Sequence, residues 1–300
     1  MRESLVNPVQ TPRGRRLAAL APVAATLGGA SLIAFAPILV RVSEVGPQAS
    51  AFWRLALGAL TLWAAAAWLR PAPPDRQARP GLLAAGAFFA GDLACWHAAI
   101  VLTTVANATL LANLTPIVAG LAAWGILRER LSWGWALGAG LGVSGAALLG
   151  LSRQGLGQGQ ALGDVLALVT TLWYAAYLLA IRNARKRTGA LQAMLWSSAA
   201  GAVICLVIAL AAGERLFPET LSGWAGLAAL GVIVHACGQG GIAFGLGRLP
   251  VAVTSVLILI QPVLAAGLGW RLFGEAIAPL GVLGAALVLA GAWAAQRAKG

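Results

Sequence analysis

Ten long apolar stretches constrain the fold of this 300-residue chain more than any other feature. Each is close to the roughly 20 residues that a helix needs to cross a bilayer. The links between them are short, so neighbouring helices should be mostly antiparallel, with no large domain outside the membrane. The sequence therefore predicts an all-α integral membrane protein with ten transmembrane helices. The predicted spans are residues 17–40, 49–69, 81–101, 105–127, 133–151, 161–181, 190–212, 221–245, 250–273 and 277–295.

Composition excludes the common soluble classes. Hydrophobic residues make up 60% of the chain and charged residues only 10%, against about 25% charged residues in an average soluble protein. A soluble enzyme, a disordered regulator and a disulfide scaffold are therefore ruled out. The three cysteines are far apart in apolar runs, so neither a disulfide framework nor a metal site is expected, and no cofactor is predicted.

The positive charge reports topology rather than a nucleic-acid partner. Alternating the loops between two faces puts sixteen Lys and Arg residues on the face of the termini and four on the other; Arg54 alone lies inside a span. Basic residues favour the cytoplasmic side, so both termini are predicted to be cytoplasmic, in what we expect to be a bacterial inner membrane. The first span is too long for the core of a signal peptide, so it should remain in the bilayer.

The chain also contains a duplication at an offset of 146 residues. The matching pairs are Pro116 and Pro262, Trp124 and Trp270, Glu129 and Glu275, Gly138 and Gly284, and Gly145 and Gly291. This offset covers five spans, and because five is odd, the second copy should be inverted in the membrane. We expect repeats at residues 1–152 and 153–300. Inverted repeats are typical of secondary transporters, whose site lies near the midplane between the copies; the alternative is duplication of a purely structural unit.

Residues 105–131 (VANATLLANLTPIVAGLAAWGILRERL) and 250–277 carry a family resemblance. Each has a proline in mid-helix and a glutamate just past its end, and Gly46-Pro47 followed by Arg54 matches the entry into the second span. The chain resembles the drug/metabolite transporter superfamily, specifically its EamA-type ten-span branch. The resemblance implies export of amino acids, other metabolites or drugs; one branch comprises the YddG-like aromatic amino-acid exporters.

Ionisable residues within the spans are the first candidates for the site, since a charge at mid-membrane is costly. Asp92 lies near the midplane of the third span. It could bind a substrate ammonium or carry a coupling proton, or it could be a protonated acid bonded to a neighbouring helix. Arg54 could hold a substrate carboxylate, snorkel to the outer interface or pair with Asp92.

Two histidines and their neighbours extend this predicted cavity. His97, beside Trp96, lies near the outer end of the third span, and His235 lies one turn from Gln239 in the eighth. Histidine titrates in a range suited to proton coupling, although a lone membrane histidine is more often a hydrogen-bonded core residue. At the repeat offset Asp92 falls between His235 and Gln239, so both halves place polar groups at one depth.

The sixth span carries an aromatic stripe: Thr170, Trp173, Tyr174 and Tyr177 recur at the spacing of one helix face. The two tyrosines lie at mid-membrane rather than at the interface that tyrosine prefers. This face suits an aromatic or amphipathic ligand, and the alternative is an interhelical hydrogen bond in the core.

Three amides and two prolines are further candidates. Asn107, Asn113 and Gln261 could line the cavity or join helices by hydrogen bonds. Pro116 and Pro262 each free a carbonyl, and the resulting kink could be a static bend or a gating hinge. The glycine row 134, 138 and 142 indicates scaffold packing or a homodimer face.

Rival functions find less support in the sequence. A membrane enzyme would need clustered acids or metal ligands, and a primary pump would need a phosphate-binding loop; neither pattern is present. The inverted repeat and paired prolines favour alternating access over a channel. We therefore expect no enzyme activity. The predicted partners are the bilayer and a small substrate, with an amino acid as first choice and a flat hydrophobic cation as second.

Overall fold

The computed structural model describes residues 12–103, 108, 111–152, 161–273 and 278–297. All regular structure in these ranges is helical, and it follows the ten predicted spans. We label the spans α1 to α10. Their bounds are α1, Pro12–Ile33 and Ala36–Arg41; α2, Pro47–Leu69; α3, Arg79–Leu102; α4, Thr115–Leu127; α5, Trp133–Ser152; α6, Ala161–Ala184; α7, Ala190–Ala211; α8, Leu221–Leu246; α9, Val251–Leu257 and Ile260–Phe273; and α10, Pro279–Arg297.

Length and hydropathy support membrane insertion. Within the described residues, six helices are long and apolar enough to cross a bilayer, and three shorter apolar helices belong to α4, α9 and α10. Most helices present apolar side chains both outward and inward, which is expected where lipid replaces water as the solvent. The all-α integral-membrane architecture expected from the sequence is therefore confirmed.

Prolines interrupt three of the helices. The first breaks at Ala34–Phe35, just before Pro37. A turn at Asn113–Leu114 precedes Pro116 at the start of α4, and a turn at Ile258–Leu259 interrupts α9 before Pro262. Proline lacks the N–H that would continue the helical ladder, which accounts for these breaks. The turns before Pro116 and Pro262 lie at matched places in the two halves.

Local donors bond the carbonyls that these prolines leave free. The Thr115 hydroxyl donates to the Ala112 carbonyl at 2.7 Å, and the Gln261 N–H donates to the Ile258 carbonyl at 3.0 Å. Unsatisfied backbone groups cost several kcal/mol in lipid. Such repair lets a helix bend at mid-membrane without exposing them.

Helix contacts repeat between the two halves. The longest interface joins α5 to α10, and α2 likewise packs on α7. The contact of α3 with α6 has its counterpart in α8 with α1, and that of α3 with α7 in α8 with α2. Each pair maps onto its counterpart when five is added to or subtracted from the helix number, as a two-fold relation between repeats requires.

Glycine contacts between α5 and α10 show the relative direction of these two helices. A Cβ on Gly138 would lie 2.7 Å from the Gly291 carbonyl oxygen, and one on Gly145 would lie 2.5 Å from that of Gly284. As the residue numbers of the contacts increase along α5, those of their partners decrease along α10, so these two equivalent helices run antiparallel. Only residues without a Cβ allow backbones this close. Within the predicted glycine row of α5, Gly138 is thus covered by α10 of the same chain, and a Cβ on Gly142 would meet Leu259 of α9.

One part of α8 departs from the repeat. Residues Leu230–Gln239 form a π-helix, whereas the corresponding helix α3 is regular. Gly86 packs against Gly201, and Gly231 packs against Gly58 in the matching contact. Thirty residues separate Gly86 from Pro116, and thirty-one separate Gly231 from Pro262. Since a π turn holds one residue more than an α turn, the π-helix accommodates this extra residue.

The loops meet in two separate sets, one at each end of the helices. At one end, Arg187 of the 6–7 loop pairs with Asp75 of the 2–3 loop. At the other end, Glu44 of the 1–2 loop accepts bonds from the Thr220 hydroxyl and from the N–H groups of Thr220 and Glu219. These bonds hold the pKa of Glu44 below its ordinary value, the Thr220 hydroxyl being the main cause. This division is the one that ten alternating spans produce.

We predict that Gly138→Val destabilises the protein by about 1–3 kcal/mol, because the added side chain forces α5 and α10 apart. Thermal unfolding of the purified protein in detergent measures this change. Gly140→Val is the matched control on the same helix, since a Cβ there meets nothing within 4 Å. Equal effects of the two substitutions would contradict the close helix contact.

Candidate functional site

Arg54 and Asp92 are buried opposite charges on neighbouring helices. Their residues are 3% and 7% exposed, respectively. Arg54 lies on the inward face of α2, and Asp92 on that of α3. The ion pairs within 4.0 Å among the described residues do not include them, so the two charged groups do not form a direct salt bridge.

Both charged groups retain unused hydrogen-bonding capacity. The Nε of Arg54 is buried and makes no hydrogen bond to a described residue. Within the described ranges, Asp92 makes one hydrogen bond with a side chain, and it uses the Asp92 backbone: the carbonyl accepts from the Thr170 hydroxyl at 3.4 Å. Buried charged groups are normally hydrogen-bonded, so this pair has donors and acceptors left for a ligand.

Phe89 is the centre of an aromatic column beside these charges. Its ring stacks on Tyr177 with the centroids 4.5 Å apart and on His235 at 5.4 Å. Tyr174 continues the column, 5.8 Å from Tyr177. The Arg54 guanidinium lies 5.7 Å from the Phe89 centroid, so the positive charge faces an aromatic ring.

Hydrogen bonds fix both tyrosines of the stripe. The Tyr174 hydroxyl accepts a bond from the Gln239 amide at 3.2 Å, and the Tyr177 hydroxyl donates to the Met194 sulfur at 3.4 Å. Tyr177 is fully buried. Such bonds satisfy phenols that would otherwise be stranded in an apolar setting, so the rings are held in place on the inner face of α6.

Trp173 differs from the rest of the stripe. It is 37% exposed, and its ring lies against Gly91 and 6.1 Å from the Phe88 ring. Thr170 and Tyr177 are buried. The four residues of the stripe therefore do not all face inward. Trp173 is turned by about 60° around the helix axis from Thr170, three residues earlier, and reaches the edge of the α3–α6 contact.

Each buried histidine bonds to a serine of the preceding helix. The Ser50 hydroxyl lies 2.8 Å from His97 Nδ1, which is also 3.0 Å from the Pro47 carbonyl oxygen. The Ser198 hydroxyl lies 2.7 Å from His235 Nε2. His97 thus ties α3 to the start of α2, whereas His235 joins the aromatic column. Trp96 is half-buried, 5.5 Å from the His97 ring.

The weaker candidates stand apart from this cluster. Asn113 and Gln261 are half-buried at the breaks of α4 and α9, and the Asn113 side-chain nitrogen has no partner among the described residues. Pro116 and Pro262 are buried at the same breaks. Asn107 lies outside the described residues. The described residues contain no group of three or more possible metal ligands.

Sequence reasoning missed Phe89 and both serines. Phe89 is three residues before Asp92 and therefore shares its helix face, which was the available signal. Nothing in the spacing marks Ser198, because serine is common in membrane helices and its role here depends on which histidine faces it. The candidate site combines Arg54 and Asp92, one charge of each sign, with the aromatic column and the Gln239 amide.

Residues 18–151 and 161–295 each match the sequence profile of the EamA-like transporter family. The chain belongs to this family. The match covers both halves, and the expected membership of the drug/metabolite transporter superfamily is confirmed. This EamA-like protein is therefore a transporter in its broad class.

Individual relatives agree with that class. The chain is 25% identical over 185 residues to a protein of Streptantibioticus cattleyicolor described as a "probable terminal-alkyne amino-acid exporter". That match spans 62% of each protein, less than two thirds of the relative's length. An uncharacterized transporter of Archaeoglobus fulgidus is 28% identical over 75% of this chain and 77% of its own length.

A solved structure shares the fold. A chain described only as the crystal structure of a protein superposes with a TM-score of 0.74, covering 93% of this chain and 96% of its own. At 21% identity, this likeness supports the arrangement of helices and nothing finer.

We predict that Ser198→Ala destabilises the transporter by about 1–3 kcal/mol, because it leaves both ring nitrogens of His235 without a partner among the described residues. Ser197→Ala is the control: Ser197 is equally buried, but its hydroxyl bonds only to carbonyls of its own helix. Thermal unfolding in detergent compares them. Equal losses of stability would show that the Ser198–His235 hydrogen bond stabilises the protein no more than the bonds of Ser197 within its own helix.

Proposed function

We propose that this EamA-like protein exports small amphipathic metabolites, above all amino acids with aromatic or other apolar side chains. The buried pair of Arg54 and Asp92, with unused hydrogen-bonding capacity beside an aromatic column, is the observation that carries the proposal. A zwitterion fits both charges: its carboxylate bonds to the guanidinium and its ammonium to the carboxylate. Phe89, Tyr174 and Tyr177 supply the apolar surface for its side chain.

Electrostatics favours a zwitterion, whose two charges cancel, over a ligand with a single net charge. A buried polar group without a partner costs free energy, and the cost is larger when the group is charged. A zwitterion satisfies both site charges and leaves the net charge of the complex unchanged. An anion or a cation satisfies one of them only.

Transport by alternating access accounts for the helix breaks. In the proposal, residues 1–152 and 153–300 form two halves that are inverted in the membrane, with the site between them. Pro116 and Pro262 are the hinges at which α4 and α9 bend. The matched breaks and the antiparallel α5–α10 pair support this arrangement.

We further propose that the protein lies in a bacterial inner membrane with both termini in the cytoplasm. The face with the 2–3, 4–5, 6–7 and 8–9 loops is then the inner face. A homodimer remains part of the proposal, but it must use a surface other than Gly138 and Gly142 of the α5 glycine row, which α10 and α9 cover.

A hydrophobic cation is the second candidate substrate. Asp92 beside a column of three aromatic rings is a favourable setting for a flat cation, since ring faces attract positive charge. Such a ligand makes no use of Arg54, and this difference separates the two substrate classes.

We predict that Arg54→Gln lowers uptake of radiolabelled phenylalanine by proteoliposomes by about 10- to 100-fold, since a charge-assisted bond to the carboxylate is lost. Uptake of tetraphenylphosphonium should not fall. Asp92→Asn should impair both substrates, and Tyr177→Ala should weaken both.

Arg215→Gln is the matched control, because Arg215 pairs with Glu219 at an exposed site. A folded Asp92→Asn, Tyr177→Ala double variant that transports like the wild type would place the cavity elsewhere. Saturable isotope exchange identifies a carrier, whereas ohmic current would identify a channel.

We predict that Ser4→Cys and Lys299→Cys escape an impermeant maleimide added outside intact cells, because both termini are cytoplasmic. The native cysteines are first replaced by alanine, and labelling after permeabilisation shows that the sites can react. Efficient labelling of intact cells at either position would reverse the orientation.

A further inference from the structure

Glu129 occupies a constrained position just past the end of α4. The preceding residue, Arg128, adopts a left-handed backbone with a φ of 56°. A non-glycine residue in this conformation costs about 1 kcal/mol or more. The N–H of Glu129 folds back to the Ala123 carbonyl at 3.1 Å. The chain therefore makes a tight turn at this point.

The Glu129 carboxylate joins the first half of the chain to the second. Its oxygens accept bonds from the N–H groups of Val251 at 3.2 Å and Ala252 at 3.4 Å, the first residues of α9. The first N–H groups of a helix have no partners within the helix, and the dipole there favours a negative charge. Glu129 thus caps α9 from α4.

Arg182 completes this contact from α6. Its Nε lies 3.8 Å from the Glu129 carboxylate, and its Nη1 donates to the Leu246 carbonyl at the end of α8. The Glu129 side chain is 14% exposed, so water screens the contact only in part. Four helices, α4, α6, α8 and α9, are joined at one face through these two side chains.

The joined ends belong to the segments of α4 and α9 that lie between the turns at residues 113–114 and 258–259 and the face of the 4–5 loop. The helix α4 begins directly after the turn at residues 113–114, α9 is broken at residues 258–259, and Thr115–Leu127 packs against Val251–Leu257. In the proposed alternating access, opening the site to this face separates these two segments. Their separation would leave the N–H groups of Val251 and Ala252 without the carboxylate.

We propose that Glu129 is the positioning residue that holds the transporter closed at the face of its 4–5 loop. This inference rests on the proposed transport function. The glutamate thereby sets how often the site opens to that face, without contacting the substrate. The matching Glu275 lies outside the described residues, and the proposal does not depend on it.

Cys95 is a native reporter for the test. It is half-buried one helix turn from Asp92, beside Trp173. In a Cys205→Ala, Cys237→Ala background, inside-out and right-side-out membrane vesicles are treated with an impermeant methanethiosulfonate, with no substrate present. We expect Glu129→Gln to raise the labelling rate from the 4–5 loop face about tenfold, with no rise from the other face.

Two further variants sharpen the result. Arg182→Gln should raise the rate about two- to threefold, since partly exposed ion pairs contribute less. Glu129→Asp retains the charge but is shorter, so its rate should lie between those of the parent and Glu129→Gln. Glu219→Gln removes an exposed ion pair at the opposite face and should leave the labelling rate unchanged.

Hydrogen exchange at α9 gives an independent measure. The amides of Val251 and Ala252 should exchange faster in Glu129→Gln than in the parent protein. Unchanged labelling together with unchanged exchange would overturn the proposal. Because neither measurement uses a substrate, failure of amino-acid transport would contradict the proposed function alone.

Discussion

The bilayer core contains no water to bond to the backbone, and this constraint governs the structure. It accounts for a fold in which the described regular structure is entirely helical. It also accounts for how the exceptions are handled. At each mid-membrane proline of α4 and α9, a neighbouring hydroxyl or N–H bonds the carbonyl that proline leaves free. Bends at the centre of the membrane are possible because each one is satisfied locally.

The same constraint explains why polar side chains are few and why most of them are paired. Ser50 and Ser198 bond the two buried histidines, and Gln239 bonds Tyr174. Arg54 and Asp92 differ from the other buried polar groups in that they are ionisable groups of opposite charge with hydrogen-bonding capacity left unused. Because unmet polar groups are costly in such a setting, this pair is the basis of the proposed site.

Much of the fold could be predicted from the sequence, because hydropathy and length alone define a membrane helix. The ends of α2, α5 and α7 fall within two residues of the predicted spans. The prediction that Asp92 and the tyrosines lie near one another rested on depth and helix face, both of which follow from residue spacing. Their role in binding stays a prediction.

Other features depend on contacts between helices, which spacing does not encode. Phe89 looks like any apolar residue until its ring contacts with His235 and Tyr177 are known. Trp173 matches the aromatic stripe in sequence but lies at its exposed edge. The π-helix of α8 leaves no local signal either, because one extra residue becomes visible only when the glycine contacts of both halves are compared. The extra turn residue lies in one half only, so α3 and α8 cannot be superposed residue for residue along their whole length.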